Sequence, residues 1–148
     1  MSRRILAVDP GEKNIGVAIS DPTQTLAKPL SVIQHVSRTI NAAVIVQIAE
    51  DNNAELIIVG QALDMNGEPG FQARKANRLA AAIRTQTQIP VELWDESSST
   101  QAARTAHILQ GSPRRKRRNH LDDRAAAAIL QSYIDAKKDS LKNQDHEQ

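Results

Sequence analysis

Four consecutive apolar residues, Ile5 to Val8, run straight into Asp9, and a Pro10-Gly11 turn separates them from a second apolar run, Ile15 to Ile19. A continuous apolar run bounded by turn signals predicts a strand covered on both faces. The chain should therefore open on a buried strand, a tight turn and a returning strand. Asp21-Pro22-Thr23-Gln24 is the next turn, and Leu26 to Gln34 reads as a third strand. Pro29 cannot donate to a ladder, which assigns that strand to an edge or a bulge. Short connections between the three imply an antiparallel meander.

From Ser37 the period changes. Ile40, Val44, Ile48 and Ala49 recur at helical spacing, with Ser37 as N-cap and an end near Asn52-Asn53. Leu56 to Gly60 is again a compact apolar run and reads as a buried parallel strand. Gln61 to Gly70 is a loop containing Asn66-Gly67 and Pro69-Gly70. In the next helix Phe71, Ala73, Ala76, Leu79, Ala80 and Ile83 mark one face, and Arg74, Lys75, Arg78 and Arg84 the opposite one. A short strand, Val91 to Trp94, follows Pro90 and ends in Asp95-Glu96-Ser97-Ser98-Ser99-Thr100. A helix should start near Thr100, carry Ala102, Ala103, Ala106 and Leu109, and break at Gly111-Ser112-Pro113. The last helix is expected from near Asp122 through Ala125, Ala126, Ile129, Leu130, Tyr133 and Ile134. This order predicts an α/β fold: a mixed five-stranded sheet, three strands in an antiparallel meander and two parallel, flanked by helices. One domain is expected over residues 1–137, with 138–148 as a polar, aperiodic and disordered tail.

Composition narrows the chemistry. The chain of 148 residues contains no cysteine, which excludes disulfides, zinc-thiolate sites and thiol nucleophiles. The apolar stretch after Arg3 and Arg4 is too brief for a signal peptide, and no run approaches the ~20 apolar residues of a membrane span. A cytoplasmic protein is expected. The formal net charge is +2, yet Arg114, Arg115, Lys116, Arg117 and Arg118 alone carry five positive charges, so the remainder stands at −3. So local a basic run suggests phosphate contacts, although such runs are often simply solvated loops. Phe71, Trp94 and Tyr133 are the only aromatic residues, too few for a base-stacking platform.

Acids recur at the ends of apolar elements. Asp9 ends the first strand, Asp95 and Glu96 end the last, and Asp122 and Asp123 open the last helix. A carboxylate beside a buried sheet is costly without hydrogen bonds, a cation or a metal. Converging carboxylates repel one another unless hard cations such as Mg²⁺ or Mn²⁺ intervene. Each acid also has a plainer reading. Asp9 precedes Pro-Gly and can form an ordinary turn, Asp122 can cap its helix, and Asp95 competes with Glu96 for any role. Ala125, Ala126, Ile129 and Tyr133 follow Asp122 at helical offsets, but Ala126, Ala127, Leu130 and Ile134 follow Asp123 equally well. Spacing does not choose between them.

Taken together, the motifs resemble those of the YqgF (RuvX) family, bacterial RNase H-like proteins described as Holliday junction resolvases or as nucleases maturing small-subunit ribosomal RNA precursors. The family pattern D-x-G-x-K-x-I-G-V-A matches Asp9 to Ala18, and I-V-G-L-P-x-x-M-x-G is similar to Ile58 to Gly67. D-E-R-L-S-T corresponds to Asp95 to Thr100. D-x-x-A-A followed by I-L-Q-x-Y corresponds to Asp122 to Ala126 and Ile129 to Tyr133. The likeness spans Ile5 to Tyr133. It implies an RNase H-like fold, a catalytic and metal-binding triad of Asp9, Glu96 and Asp122, and Asp95, Ser99, Thr100 and Asp123 as supporting neighbours. Two departures stand out. Ser97 and Ser98 replace the family's Arg-Leu, which removes a phosphate-holding guanidinium. Gln61-Ala62 replaces Leu-Pro and loosens that loop.

The expected function is a Mg²⁺- or Mn²⁺-dependent nuclease acting on structured nucleic acid. Lys13 and Arg114, Arg115, Lys116, Arg117 and Arg118 would neutralise the backbone. Two other readings compete: a non-catalytic binding factor, favoured by the serine substitutions, and an ATP-handling protein, for which a single lobe is too small. Junction resolution needs paired sites and hence a dimer. No evident dimer segment exists, which favours RNA, the ribosomal precursor in particular, over DNA junctions; the oligomeric state stays open.

Overall fold

The computed structural model describes residues 3–11, 13–61, 71–95 and 114–146, with side chains from Ala73 in the third segment and at 124–140 in the last. Strand β1 (Arg4–Pro10) lies at the centre of a five-stranded sheet. Strands β2 (Asn14–Ser20) and β3 (Ala27–Gln34) extend it antiparallel on one side; β4 (Ala54–Gln61) and β5 (Val91–Asp95) extend it parallel on the other. The order is β3-β2-β1-β4-β5.

The opening apolar run divides its side chains between two cores, as strand alternation requires. Leu6 and Val8 join Val17, Ile57 and Val59 beneath helices α1 (Arg38–Asp51) and α2 (Phe71–Arg84). Ile5 and Ala7 join Ala18, Leu56 and Ile58 beneath α3 (Arg114–His146). Each fully buried Ile or Leu contributes roughly 1.5–3 kcal/mol, which explains why no polar residue interrupts the run. Gly11 closes the β1–β2 turn, its N–H donating to the Asn14 carbonyl at 3.0 Å, and a Cβ there would collide with that same oxygen. Pro29 meets both expectations: β3 is an edge strand, and its register shifts where Ser31 pairs with Val17 and Pro29 with Ala18.

Two helices differ from the sequence pattern. Helix α1 begins at the expected Ser37 cap, whose hydroxyl accepts from the Ile40 N–H at 3.2 Å. However, Asn41, Ala42, Ile45, Val46 and Ala49 face the sheet, while Ile40 and Val44 are exposed. Apolar residues surround this helix, so packing rather than periodicity selects its inner face. Helix α3 starts at Arg114, not Asp122, so the basic run is helical rather than a loop. Arg and Lys are good helix formers, but a run without apolar positions carries no periodic signal. The same helix continues to His146, through the polar segment read as a tail. The helix read between Thr100 and Leu109 and the 62–70 part of the Gln61–Gly70 loop fall outside the described residues. Among the described residues no helix is long and apolar enough to cross a membrane.

Helix α3 is pinned to both edges of the sheet. Gln131 accepts from the Ala27 N–H at 2.9 Å and donates to the Thr25 carbonyl at 3.2 Å, tying it to β3. Tyr133 meets Trp94 edge-on at 5.2 Å and donates to Glu92 at 3.3 Å, tying it to β5. The Trp94 indole donates to Ser132 at 3.2 Å. The I-L-Q-x-Y motif is thus a clamp. Ile129 and Leu130 fill the core while Gln131 and Tyr133 reach opposite edges.

Asp21 organises the β2–β3 turn. One carboxylate oxygen accepts from the N–H groups of Leu26 at 2.9 Å and Thr25 at 2.7 Å, and the other from the Thr23 hydroxyl. The Leu26 N–H, then the Thr23 hydroxyl, then the Thr25 N–H hold this carboxyl well below the usual carboxylate range. A folded-state pKa below the unfolded value of about 3.9 means the stabilisation is complete above that pH and is lost as pH falls below it. Asp21→Asn is expected to flatten the fall in melting temperature between about pH 4 and pH 2. Identical acid limbs in a pH series of thermal melts would show that the turn does not form.

Candidate functional site

Because β1, β4 and β5 are parallel, their carboxyl ends share one edge of the sheet. Val8 pairs with Val59, Val59 with Leu93 and Gln61 with Asp95, so Asp9 and the end of β5 lie at about the same level. β1 and β5 are not neighbours, however. β4 separates them, which sets their axes about 10 Å apart.

Alternation places the acids on faces. Ile5 and Ala7 face α3, so Asp9, next in that series, also lies on the α3 face, half-buried at the strand end. Its cross-strand partner is Gly16, which has no side chain to occupy the space beside the carboxylate. On β5, Val91 and Leu93 belong to the α1/α2 side and Trp94 to the α3 side. Asp95 therefore falls on the face opposite Asp9, and it is exposed. On α3 the inward residues are Ala125, Ala126, Ile129, Leu130, Tyr133 and Ile134, whereas Ala127 is only partly buried. Asp122 and Asp123 lie in the turn preceding them, on the same helix.

The structure thus brings the ends of β1 and β5 to one edge of the sheet, with Asp9 on the α3 face and Asp95 on the other. Lys13 is exposed in the β1–β2 turn, where its carbonyl accepts from the His35 N–H at 2.9 Å. Glu96, Ser99 and Thr100 lie outside the described residues, as do the side chains of Arg114, Arg115, Lys116, Arg117, Arg118, Asp122 and Asp123. Among the described residues no three metal-ligating side chains cluster. The donor chemistry nevertheless suits a hard cation: Asp9 supplies carboxylate oxygen at a half-buried position whose cross-strand neighbour is a glycine.

Spacing does not bring together a second group. On the opposite face, His35, Arg38 and Asn41 join Arg74, Lys75 and Arg78 around a cleft of about 620 Å³. One signal was available: helix α2 contains four basic residues and no acid at all. Arg84, the fourth, donates to the Val91 carbonyl at 2.8 Å and is structural.

A central strand flanked by an antiparallel meander and two parallel strands, with an acid ending the first strand, defines the RNase H-like class. Thermus thermophilus RuvC in complex with a Holliday junction substrate shares this fold, with a TM-score of 0.60 at 16% identity over 92% of this chain and 96% of that one. A fowlpox virus resolvase, solved with Holliday junction DNA, matches at TM-score 0.53 and 16% identity over 90% and 97% of the two chains. The chain belongs to the RuvX family, whose model, described as Holliday junction resolvase, matches residues 3–136. Curated relatives described as "Putative pre-16S rRNA nuclease" agree. The protein of Syntrophus aciditrophicus is 38% identical over 133 residues, covering 90% of this chain and 89% of its own. That of Geobacillus kaustophilus is 38% identical over 137 residues, covering 91% and 99%.

Proposed function

We propose that this protein is a divalent-metal-dependent nuclease that hydrolyses phosphodiester bonds in structured nucleic acid, with the small-subunit ribosomal RNA precursor as preferred substrate. One observation carries the reading: Asp9 is the penultimate residue of the central strand, on the face covered by α3, half-buried, opposite a glycine. Family membership and the description shared by the curated relatives support the substrate class.

Asp9, Glu96 and Asp122 would hold Mg²⁺ or Mn²⁺. When bound, such an ion supplies Lewis acidity to activate water and charge to neutralise phosphoryl oxygens. The protein's own contributions are orientation and exclusion. β1 fixes Asp9 through its ladders on both sides, and α3 covers that face of the sheet. Lys13 and the basic run from Arg114 to Arg118 would balance backbone charge, with affinity falling steeply as salt rises.

The test uses purified protein with ribosomal RNA precursor and, separately, four-way DNA junctions, in Mg²⁺, Mn²⁺ or EDTA. Cleavage of the RNA is expected with metal and not in EDTA. Loss of a ligand carboxylate removes several kcal/mol of transition-state stabilisation, so Asp9→Asn should fall by about 10³-fold or more. Cleavage of junctions alone would move the substrate to DNA. RNA binding by both proteins with no cleavage in either would leave a binding factor.

A further inference from the structure

We infer that the cleft between α1, α2 and the β1–β2 turn is a second phosphate-binding site, which seats a backbone phosphate of the nucleic acid on the face of the sheet opposite Asp9. The inference rests on the nucleic-acid reading above and adds residues that reading does not use.

The cleft is built from segments far apart in sequence. Pro10 forms part of its wall, and Pro10 directly follows Asp9. A ligand seated there is therefore held one residue from the acid, across the edge of the sheet. Arg38, Arg74 and Arg78 are exposed cations around the cleft, while the Lys75 ammonium is tied to the Gly11 carbonyl and so anchors α2 to the β1–β2 turn. No Asp or Glu lines it among the described residues.

Helix polarity points the same way. Arg38 opens α1, and Arg74 and Lys75 lie near the start of α2; neither helix has an acid in its first turn. Cations at helix N-termini oppose the macrodipole, so this placement costs stability in the free protein. An anion reverses the sign, because it meets both the guanidinium groups and the helix N-terminal field. Guanidinium forks suit phosphate geometry in particular.

His35 is held in one tautomer. The Asn41 side-chain oxygen accepts from the Val36 N–H at 3.1 Å, so its amide nitrogen is the donor toward His35 Nδ1 at 2.7 Å. Nδ1 is then an acceptor, and the ring keeps its proton on Nε2 as a further donor. Asn41 is buried, which keeps this arrangement rigid.

The test reads binding of a fluorescein-labelled RNA oligonucleotide in EDTA, so that no cleavage step enters. Wild type is compared with Arg74→Gln/Arg78→Gln, with Arg38→Gln, and with Lys28→Gln/Lys138→Gln as a charge-matched control on exposed residues elsewhere. All replaced side chains are exposed, and thermal melts confirm folding. The two cleft variants should bind at least about tenfold more weakly at low salt, and the double variant should lower the salt slope by about one to two, with the control close to wild type. Cleft variants that bind like the control would overturn the inference, even if metal-dependent cleavage and its loss in Asp9→Asn are both observed. Weakened binding in the cleft variants, together with a wild-type protein that cleaves nothing, would uphold the cleft and sink the nuclease reading instead. Pyrophosphate is the small-anion probe. Thermal protection by it that depends on Arg74 and Arg78, without any change in RNA affinity, would reassign the cleft to a free phosphate compound and overturn the nucleic-acid form.

Discussion

Asp122→Asn is expected to reduce metal-dependent cleavage by about 10³-fold or more, while Asp123→Asn stays within a few-fold of wild type. The difference follows from the face α3 turns to the sheet. At 100° per residue, the buried positions from Ala125 to Ile134 centre about 30° from Asp122 and about 70° from Asp123. Asp122 heads the row Ala126, Ile129 and Tyr133, all buried; Asp123 heads a row that starts with the half-buried Ala127. The same contrast is expected at the end of β5. Asp95 lies on the α1/α2 face, so Asp95→Asn should be mild, and Glu96→Gln should match Asp122→Asn. Single-turnover cleavage at saturating Mn²⁺, with melting temperatures alongside, separates chemistry from folding. If Asp123→Asn were the inactive protein, the face assignment of the helix would be wrong.

The strands could be read from sequence because their signals are local. Four apolar residues without a polar interruption can only be a strand buried on both sides or a helix, and Asp9-Pro10-Gly11 decides in favour of the strand. Pro29 marks the edge through its missing donor. Helix orientation was less accessible. In α1, Ile40 and Val44 carry the same apolar weight as Ile45 and Val46, and only the sheet beneath settles which pair is inside. In α3 the alanine run gave both acids equivalent neighbours. The partial exposure of Ala127 is the asymmetry on which the prediction for Asp122 over Asp123 rests, and no property of an alanine side chain signals it in the sequence.

The start of α3 is illegible in the sequence for a different reason. Residues 114–118 are all charged, and a periodicity argument needs apolar positions to register against. The cleft could not be read from spacing at all, since Pro10, the His35–Asn41 stretch and Arg74 come from three separate parts of the chain that only the fold brings together. Gln131 and Tyr133 belong to a motif whose resemblance was evident, yet their physical task, clamping α3 to both edges, requires knowing that β3 and β5 are those edges.

That clamp leads to the largest expected loss of stability. Ile129→Ala should destabilise the fold by about 2–5 kcal/mol, the range for truncating a fully buried isoleucine. At roughly 3 °C per kcal/mol for a chain of this size, the melting temperature would drop by about 6–15 °C. The site has little capacity to compensate. Ile129 packs with Ile5, Ala7, Ile58 and Ala126, and the small alanines leave few atoms able to close the cavity. Ile129→Val removes a single methylene and should cost about 0.5–1.5 kcal/mol. Against a total stability of about 5–15 kcal/mol, the alanine variant remains folded at low temperature. Its cleavage there should stay within several-fold of wild type, the reverse of Asp122→Asn, which is expected to melt normally and to lose cleavage by about 10³-fold or more. An Ile129→Ala protein melting within about 2 °C of wild type would mean that α3 does not pack on this face. The covered site containing Asp9 would then have no lid.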